Sequence, residues 1–467
     1  MTPLDAGRVA GAVGGERLGA AADLPLGRVV TDTRSLAPGA LFVALVGERF
    51  DGHDFVAEAR EQGAAAALVE HPVDDALPQI VCADTRLALG LLAREWRLGF
   101  AHPLVGVTGN SGKTTVKELL AELLAPLGPV HATRGNLNND IGAPLTLLGL
   151  APEHRAAVVE LGANHLGEIA WTSRLAMPGV AVVTNVTGAH VGEFGGMGQI
   201  AQAKSEILQG LPPDGVAVLN RDDPYHAFWA CCAAPAAVSS FGLHPEADVQ
   251  ARALSCDARG RYAFTLVVGG RDVGEVRLRL CGQHNVSNAL AAAAAALALG
   301  VSAPEAVAGL CRAEALAGRL SVLPGVRDTA LLDDSYNANP GAVKAALDTL
   351  ARFPGPRWCA LGAMGELGEA SEALHADIGT HAAALGVDAL YTLGEAARPA
   401  GTAFADAASG GGRPLDSRHF DSRHFDNYAA LEEHLRRTLP EGASLLVKGS
   451  RSAGMERLIA ALRRNQL

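Results

Sequence analysis

The stretch between residues 104 and 124 constrains the chain most, because it combines a strand, a glycine-rich turn and a helix in that order. Residues 104–107 form an apolar run that predicts a buried strand. The segment Thr108-Gly109-Asn110-Ser111-Gly112-Lys113-Thr114-Thr115 follows it, and a helical pattern occupies residues 116–124. Glycines let backbone N–H groups point into one concavity, and the helix start adds its positive dipole end. This order predicts a phosphate-binding loop, with Lys113 on the outer phosphates and Thr114 on Mg²⁺.

The loop is a tighter variant of the common GxxxxGK[ST] pattern, because Val107 stands where the first glycine would be. The alternative is a chance Gly-Lys-Thr in a surface turn. The succession of strand, loop and helix favours the phosphate loop over that alternative.

The composition limits the class of protein. A length of 467 residues predicts two to four domains. Hydrophobic content of 49% and charged content of 19% are typical of a globular protein. The net charge is −11 and no basic run occurs, which argues against a nucleic-acid partner.

The cysteines and the apolar runs indicate a cytoplasmic protein. The cysteines number seven, an odd count, and none forms a C-x-x-C pair, so a reducing compartment is expected. The N-terminus lacks a basic region followed by an apolar core, and thus a secretory signal. The most apolar run, residues 289–299, is about half of the roughly 20 residues that span a bilayer. We expect no integral membrane association.

Apolar runs alternate with helical patterns along the whole chain, which predicts an α/β fold with three domains. Residues 1–99 form a small α/β domain, and residues 100–316 form the phosphate-loop domain with a mostly parallel sheet. A hairpin pattern at residues 261–271 predicts an antiparallel extension of that sheet. Residues 317–467 form a Rossmann-like domain that lacks the G-x-G-x-x-G fingerprint.

Two polar residues follow strands of the central domain. Glu160 ends one apolar run, and His190 follows the next in a glycine-rich loop. Singly, each is more often a structural polar residue. Together, beside a phosphate loop at the carboxyl ends of parallel strands, they predict a site for Mg²⁺ and phosphate. A histidine ligand also admits Mn²⁺ as a substitute.

Other polar segments leave two interpretations open. Asp32-Thr33-Arg34 is either an anion site at a strand end or a turn with an Asp–Arg pair. The Asn-rich loop at residues 136–139 either forms a turn or binds a polar ligand. Asn285 and Asn288 either cap a helix, or an Asn faces a purine. Asp334 occupies a position like that of the ribose-binding acid of nucleotide folds.

A tandem duplication, Asp416-Ser417-Arg418-His419-Phe420 followed by Asp421-Ser422-Arg423-His424-Phe425, interrupts the third domain. We interpret it as an insertion in a loop, with no chemistry and no metal site attached to its histidines.

These motifs together resemble the Mur ligases, the ATP-dependent amide-bond ligases of peptidoglycan synthesis. The phosphate loop, Glu160-Leu161-Gly162-Ala163-Asn164, His190, Lys204 and His284-Asn285 carry the resemblance in the central domain. Gly318-Arg319 and the segment from Asp333 to Pro340 carry it in the third. The resemblance extends over all three domains.

The resemblance implies roles for individual residues. Lys113, Glu160, His190 and Lys204 would be catalytic. Thr114 and Glu160 would hold one Mg²⁺, and His190 would help hold a second with Lys204, carbamylated by CO₂. A bare ammonium beside Mg²⁺ would be repelled, whereas a carbamate is an anionic ligand. ATP would be bound by Thr108, Gly109, Asn110, Ser111, Gly112, Lys113, Thr114, Thr115, Asn285, Arg319 and Asp334. The other substrates would be bound by Thr33, Arg34, Asn138, Asn139, Asn337, Lys448 and Arg451.

Three further segments resemble those of the family members that add D-Ala-D-Ala to UDP-N-acetylmuramoyl-tripeptide. They are residues 47–55, 136–142 and 447–452. The resemblance implies a UDP-binding N-terminal domain, an acyl-phosphate intermediate, and a monomer that acts in cytoplasmic peptidoglycan synthesis, and so in cell shape and division. The third residue of the tripeptide, meso-diaminopimelate or lysine, stays open.

Two rival functions differ in what they predict. A folylpolyglutamate synthase would usually lack such an N-terminal domain and the Asn-rich loop. An inactive homologue would not need Lys113, Glu160, His190 and Lys204 together. A simple nucleotide-switched binding protein would not need the Tyr336-Asn337 loop and a third domain with its own nucleotide-facing residues.

Overall fold

The computed structural model describes residues 3–187, 194–410 and 420–464. Their helices and strands form three successive α/β units along the chain, each built around its own large sheet. Among these residues, none of the helices combines the length and the apolar character needed to cross a membrane.

The N-terminal unit contains a sheet of five described strands in the order β2-β7-β6-β5-β4, parallel except for β2. Strands β1 and β3 pair separately. Its elements are β1 (Leu4–Asp5), α1 (Ala6–Val13), β2 (Glu16–Leu18), β3 (Pro25–Leu26), β4 (Val29–Val30), β5 (Leu41–Val43), α2 (Val56–Glu61), β6 (Ala66–Val69), β7 (Gln79–Val81) and α3 (Thr85–Leu98).

The central sheet has nine strands among the described residues, in the order β16-β15-β14-β13-β12-β11-β8-β10-β9. Its elements are β8 (Leu104–Thr108), α4 (Lys113–Leu124), β9 (Val130–Ala132), α5 (Gly142–Leu148), β10 (Ala156–Glu160), α6 (Glu168–Ala176), β11 (Val180–Val183), α7 (Met197–Ser205), β12 (Val216–Asn220), α8 (His226–Ala233), β13 (Ala237–Gly242), β14 (Val249–Cys256), β15 (Arg261–Val268), β16 (Arg271–Cys281), α9 (His284–Ala298) and α10 (Ala303–Arg312).

The pairing of the central strands confirms the predicted antiparallel extension. The seven strands β9, β10, β8, β11, β12, β13 and β14, in their order across the sheet, pair in parallel. Strands β15 and β16 continue the sheet as an antiparallel hairpin. One face of the sheet packs against α9, whose alanines from Ala289 to Ala296 are buried together with Leu290. Small side chains let this helix approach the strands closely, which brings its first turn beside the phosphate loop.

The third unit contains a sheet with the strand order β17-β18-β22-β19-β20-β21, parallel except for β17. Its elements are β17 (Ser321–Pro324), β18 (Ala330–Asp334), α11 (Pro340–Leu350), β19 (Arg357–Gly362), α12 (Ser371–Ala384), β20 (Ala389–Leu393), α13 (Arg398–Gly410), β21 (Asp421–Phe425), α14 (Tyr428–Thr438), β22 (Ser444–Lys448) and α15 (Glu456–Leu462). Each large sheet lies inside one of the predicted units, and the exact domain boundaries stay predictions.

Two local expectations were wrong. Helix α4 begins at Lys113, three residues before the apolar pattern starts, because the left-handed Gly112 turns the chain directly into it. The second copy of the tandem repeat is the edge strand β21 and not a loop. Tyr391 donates to Asp421 at 2.7 Å and Phe425 is buried, so a largely polar sequence is held in the sheet. Residues 416–419 of the first copy lie outside the described residues.

Candidate active site

The phosphate loop lies between the end of β8 and the start of α4. Gly112 has φ of +84°, and a Cβ there would lie 2.2 Å from the Asn288 side-chain oxygen. Only glycine fits both the backbone angle and this close approach. Lys113 begins the helix, so backbone N–H groups at its first turn face the concavity of the loop.

The residues after β11 hold the loop from one side. The Ser111 N–H donates to Asn185 Oδ1 at 3.0 Å, and the Asn110 N–H donates to the Asn185 carbonyl at the same distance. Thr184 Oγ1 donates to the Ser111 carbonyl at 2.7 Å. Asn185 had no role in the sequence analysis, although a polar residue directly after a buried strand is the signal that indicated Glu160.

Lys113 folds back over the loop. Its Nζ donates to the Gly109 and Asn110 carbonyls at 2.8 and 3.2 Å. Burial lowers the pKa of the Lys113 ammonium, and the Glu160 carboxylate opposes that shift. These two weak carbonyl partners are ones that an anionic phosphate can replace.

Thr114 and Glu160 bring a hydroxyl and a carboxylate together beside the loop. Thr114 Oγ1 donates to Glu160 Oε2 at 3.0 Å, and Asn138 Nδ2 donates to Oε1 at 2.8 Å. Glu160 is 2% exposed, and its N–H donates to Thr133 Oγ1. A hydroxyl and a carboxylate facing a phosphate loop fit Mg²⁺, which takes few protein oxygens and leaves the rest to phosphate. Asn138, predicted to bind the peptide substrate, thus contacts this carboxylate, and its contact with substrate stays a prediction.

Lys204 lies in the same cavity and is also buried. Burial, with the nearby Lys113 ammonium, lowers the pKa of Lys204 to about 7. Its Nζ lies 5.4 Å from the centroid of the Phe194 ring. The neutral amine is therefore well populated near neutral pH, and this is the form that reacts with CO₂. His190 lies outside the described residues.

The third domain touches the phosphate loop directly. Arg319 Nη2 donates to Thr114 Oγ1 at 2.9 Å, and Asn339 Nδ2 donates to Ser111 Oγ at 3.2 Å. Lys448, 2% exposed, donates to Asp334 Oδ2 at 2.5 Å and to the Asn337 carbonyl at 2.9 Å. The predicted ribose-binding acid and the predicted substrate-binding lysine thus form one ion pair on the cavity wall.

The amides at the start of α9 do not cap that helix. Asn285 Nδ2 donates to the Cys281 carbonyl at 2.8 Å, and its Oδ1 accepts from Asn288 Nδ2 at 2.8 Å. The capping interpretation is therefore wrong, and the purine contact of Asn285 stays a prediction. Asn139 accepts from the Gly142 N–H at 2.8 Å and so shapes the turn into α5.

These groups line one cavity of about 1190 Å³. It contains most of the predicted residues: Gly109, Asn110, Ser111, Gly112, Lys113, Thr114, Thr115, Asn138, Asn139, Glu160, Lys204, Asn285, Arg319, Asp334, Asn337, Lys448 and Arg451. Thr108 lies beneath it, where its hydroxyl donates to the Leu161 carbonyl. The wall also includes residues that had no predicted role, among them Arg86, Asn185, His284, Tyr336 and Asn339.

The turn at residues 32–34 does not line this cavity. Asp32 accepts from the Arg34 N–H at 3.0 Å, and the two side chains form an ion pair at 2.6 Å. Arg34 is 88% exposed, whereas Thr33 is buried. The turn interpretation describes the local geometry, and a role of Thr33 and Arg34 in binding substrate stays a prediction.

A phosphate loop with a hydroxyl and a carboxylate beside it, reached by an arginine of the third domain, is typical of an enzyme that acts on a nucleoside triphosphate. Three family models match this chain: the Mur ligase family catalytic domain at residues 27–97, the Mur ligase middle domain at 107–296 and the Mur ligase glutamate ligase domain at 318–451.

Whole-length comparisons agree. The UDP-N-acetylmuramoyl-tripeptide–D-alanyl-D-alanine ligase of Escherichia coli is 44% identical over 447 residues, 95% of each chain. A crystal structure of MurF from Acinetobacter baumannii superposes with a TM-score of 0.90 at 39% identity over 98% of each chain. MurF ligase from Thermotoga maritima in complex with ADP gives 0.81 at 29% identity, over 93% of this chain and 96% of that one. The chain belongs to the Mur ligase family.

Proposed function

We propose that this enzyme joins D-Ala-D-Ala to UDP-N-acetylmuramoyl-tripeptide, with ATP converted to ADP and phosphate, in peptidoglycan precursor synthesis. The observation that carries the proposal is that Lys113, the Thr114–Glu160 pair and Arg319 meet in one cavity with Lys448 and Arg451. Nucleotide-binding groups and a second set of cations therefore share one space, as a reaction between ATP and an anionic substrate requires.

The first step joins two anions. An oxygen of the tripeptide's terminal carboxylate attacks the γ-phosphorus of ATP; a C–O–P bond forms, and the bond to the bridging oxygen breaks as ADP leaves. Lys113 and Arg319 stabilise the charge that spreads over the phosphoryl oxygens. Their partners in this structure are carbonyl and hydroxyl oxygens, which phosphate oxygens can displace.

The second step forms the amide. The D-Ala-D-Ala amine attacks the acyl carbon, loses a proton, and phosphate leaves with the C–O bond electrons. The acyl phosphate must be protected from water, so we expect the third domain to close over it. Asn339 and Arg319 already reach the loop from that domain. Scattering that shows no compaction with an ATP analogue and both substrates would contradict this closure.

The metal sites are part of the proposal. Thr114 and Glu160 would hold one Mg²⁺, and His190 with a carbamate on Lys204 would hold a second; Mn²⁺ would substitute. The ions would neutralise phosphate charge. The carbamate forms when the neutral Lys204 amine adds to CO₂ and releases one proton. The buried position of Lys204 and its pKa of about 7 support this reaction.

The N-terminal domain would bind the UDP group through Thr33 and Arg34, and Asn138 and Asn139 would face the peptide. The family model that starts at residue 27 includes this turn. We also propose a monomer that acts in the cytoplasm.

The test measures ADP release with ATP and Mg²⁺, offering UDP-N-acetylmuramoyl-tripeptide with and without D-Ala-D-Ala. Release that needs both, with a pentapeptide product by mass, supports the proposal. Release with a folate and glutamate instead would favour the folylpolyglutamate synthase alternative. Slow release that is indifferent to every acceptor would favour a nucleotide switch.

A further inference from the structure

The Tyr336 ring lies close to two arginines of the cavity wall. The Arg319 guanidinium carbon is 4.1 Å from the centroid of the Tyr336 ring, and that of Arg451 is 5.5 Å away. The Arg451 side chain is 65% exposed, whereas Arg319 is half-buried. The ring therefore has its stronger ordering effect on Arg319, because a cation–π contact gains strength where water is excluded.

The backbone fixes Tyr336 beside Arg319. The Tyr336 N–H donates to the Gly318 carbonyl at 3.2 Å, and the Gly318 N–H donates to Asp333 Oδ2 at 3.0 Å. Asp333 is buried and accepts from Ser335 Oγ at 2.6 Å. Gly318, the residue before Arg319, is thus hydrogen-bonded through both its N–H and its carbonyl to the end of β18 and the loop after it. These bonds keep the ring and the guanidinium in a fixed relative position.

Stacking leaves the edge of the guanidinium available. All the N–H groups of arginine lie in one plane, so a ring on its face restricts rotation without occupying a donor. A carboxylate partner would restrict Arg319 equally but would occupy that edge. Here the edge points to the phosphate loop, where Nη2 donates to Thr114 Oγ1 at 2.9 Å.

We propose that Tyr336 is a positioning residue for phosphoryl transfer, whose ring holds the N–H edge of Arg319 toward the group that ATP places on the loop. The inference rests on the proposed use of ATP. An arginine oriented in advance stabilises charge that develops during transfer, so the ring should affect kcat more than the KM for ATP.

The experiment compares Tyr336→Leu, Tyr336→Phe and Arg319→Met with the double variant Tyr336→Leu/Arg319→Met in the full chain. We expect Tyr336→Leu to lower kcat about tenfold, the order of a partly desolvated cation–π contact, with less than about a twofold change in KM and an unchanged Tm. Tyr336→Phe keeps the ring and should stay within about twofold of the original enzyme. The double variant should be no slower than Arg319→Met alone, because the ring acts through Arg319.

A second measurement needs neither UDP-N-acetylmuramoyl-tripeptide nor D-Ala-D-Ala. Calorimetry of MgADP with and without aluminium fluoride, which mimics the phosphoryl group in transfer, should show that Tyr336→Leu weakens only the fluoride complex, again about tenfold. An unmodified enzyme that binds this complex but forms no pentapeptide would overturn the proposed acceptor and not the role of Tyr336. Equal binding by Tyr336→Leu, a Tyr336→Phe as slow as the leucine variant, or independent effects in the double variant would overturn the role of Tyr336.

Discussion

The phosphate loop and the turn at residues 32–34 both place a hydroxyl and a cation after a buried strand, yet only one of them forms part of the cavity. Lys113 of the loop reaches carbonyls that a phosphate can replace, and Thr114 meets Glu160 from the next strand. Arg34 instead pairs with Asp32 two residues away, in an exposed turn. The difference lies in the backbone. Glycines and a helix start fix where the loop's donors point, whereas the turn is satisfied within itself.

The largest effect should come from the loop lysine. Lys113→Met keeps a similar shape but removes the charge that faces the transferring phosphoryl group. We expect kcat to fall by about 10²–10³, the range for loss of one preorganised electrostatic donor. ADP release in the presence of both substrates measures it, with Tm as a check on folding.

Lys344→Met on helix α11 is the matched control, because its ammonium pairs with Asp377 on the surface. It should leave kcat unchanged. A Lys113→Met enzyme with nearly full activity would show that the loop is no closer to chemistry than the turn.

The next effect concerns Lys204 and CO₂. The pKa of about 7 means that the amine becomes protonated, and unable to add CO₂, as the pH falls through 7. Activity at fixed dissolved CO₂ should therefore fall on the acid side of 7. Degassed buffer at pH 7 should lower activity about tenfold or more, and bicarbonate should restore it. A carbamate carbon signal in ¹³C spectra after exposure to ¹³CO₂, absent in Lys204→Arg, is the direct measurement.

An enzyme that keeps full activity without CO₂, and shows no such signal, would contradict the carbamate and leave Lys204 as a buried amine. Lys117→Arg is a poor control here, because Lys117 is itself buried against the Thr133 carbonyl. Lys344→Arg, at the surface, is the control: it should keep the activity with CO₂ and should keep the ¹³C carbamate signal.

Two glycines with the same backbone angle sharpen the comparison between the regions. Gly112 in the loop has φ of +84° and Gly39 near the N-terminal turn has φ of +82°. A Cβ at 112 would meet Asn288 at 2.2 Å, whereas nothing lies within 4 Å of one at 39. Gly39→Ala should cost about 1 kcal/mol of unfolding free energy from backbone strain alone. Gly112→Ala should cost about 2–3 kcal/mol and also weaken ADP binding.

Denaturant unfolding and calorimetry with ADP measure the two quantities. If both variants lose the same stability and bind ADP equally, the close approach of Asn288 to the loop has no energetic consequence.

The sequence predicts most of the fold because parallel strands buried on both faces appear as continuous apolar runs, as in residues 180–183. It fails at β21, where a polar edge strand with one buried residue, Phe425, resembles a loop. Loop residues of the site were predicted because they are consecutive. Contacts such as Arg319 with Thr114 join residues far apart in the chain. Tyr336 and Asn339 lie in a segment that carried the family resemblance, but their contacts become visible only when the third domain is placed on the loop.

The smallest effect should come from the turn itself, and it decides whether the turn binds substrate at all. Arg34 is 88% exposed and its ion pair with Asp32 is a surface one, so Arg34→Ala should leave the free energy of unfolding nearly unchanged. If Arg34 exchanges Asp32 for a diphosphate, the KM for UDP-N-acetylmuramoyl-tripeptide should rise about five- to tenfold while the KM for ATP stays the same. Arg60→Ala is the matched control, since its guanidinium also pairs with an aspartate, Asp75, in the same domain. Equal KM values for Arg34→Ala and Arg60→Ala would leave the turn a purely local structure and move the UDP site elsewhere in the N-terminal domain.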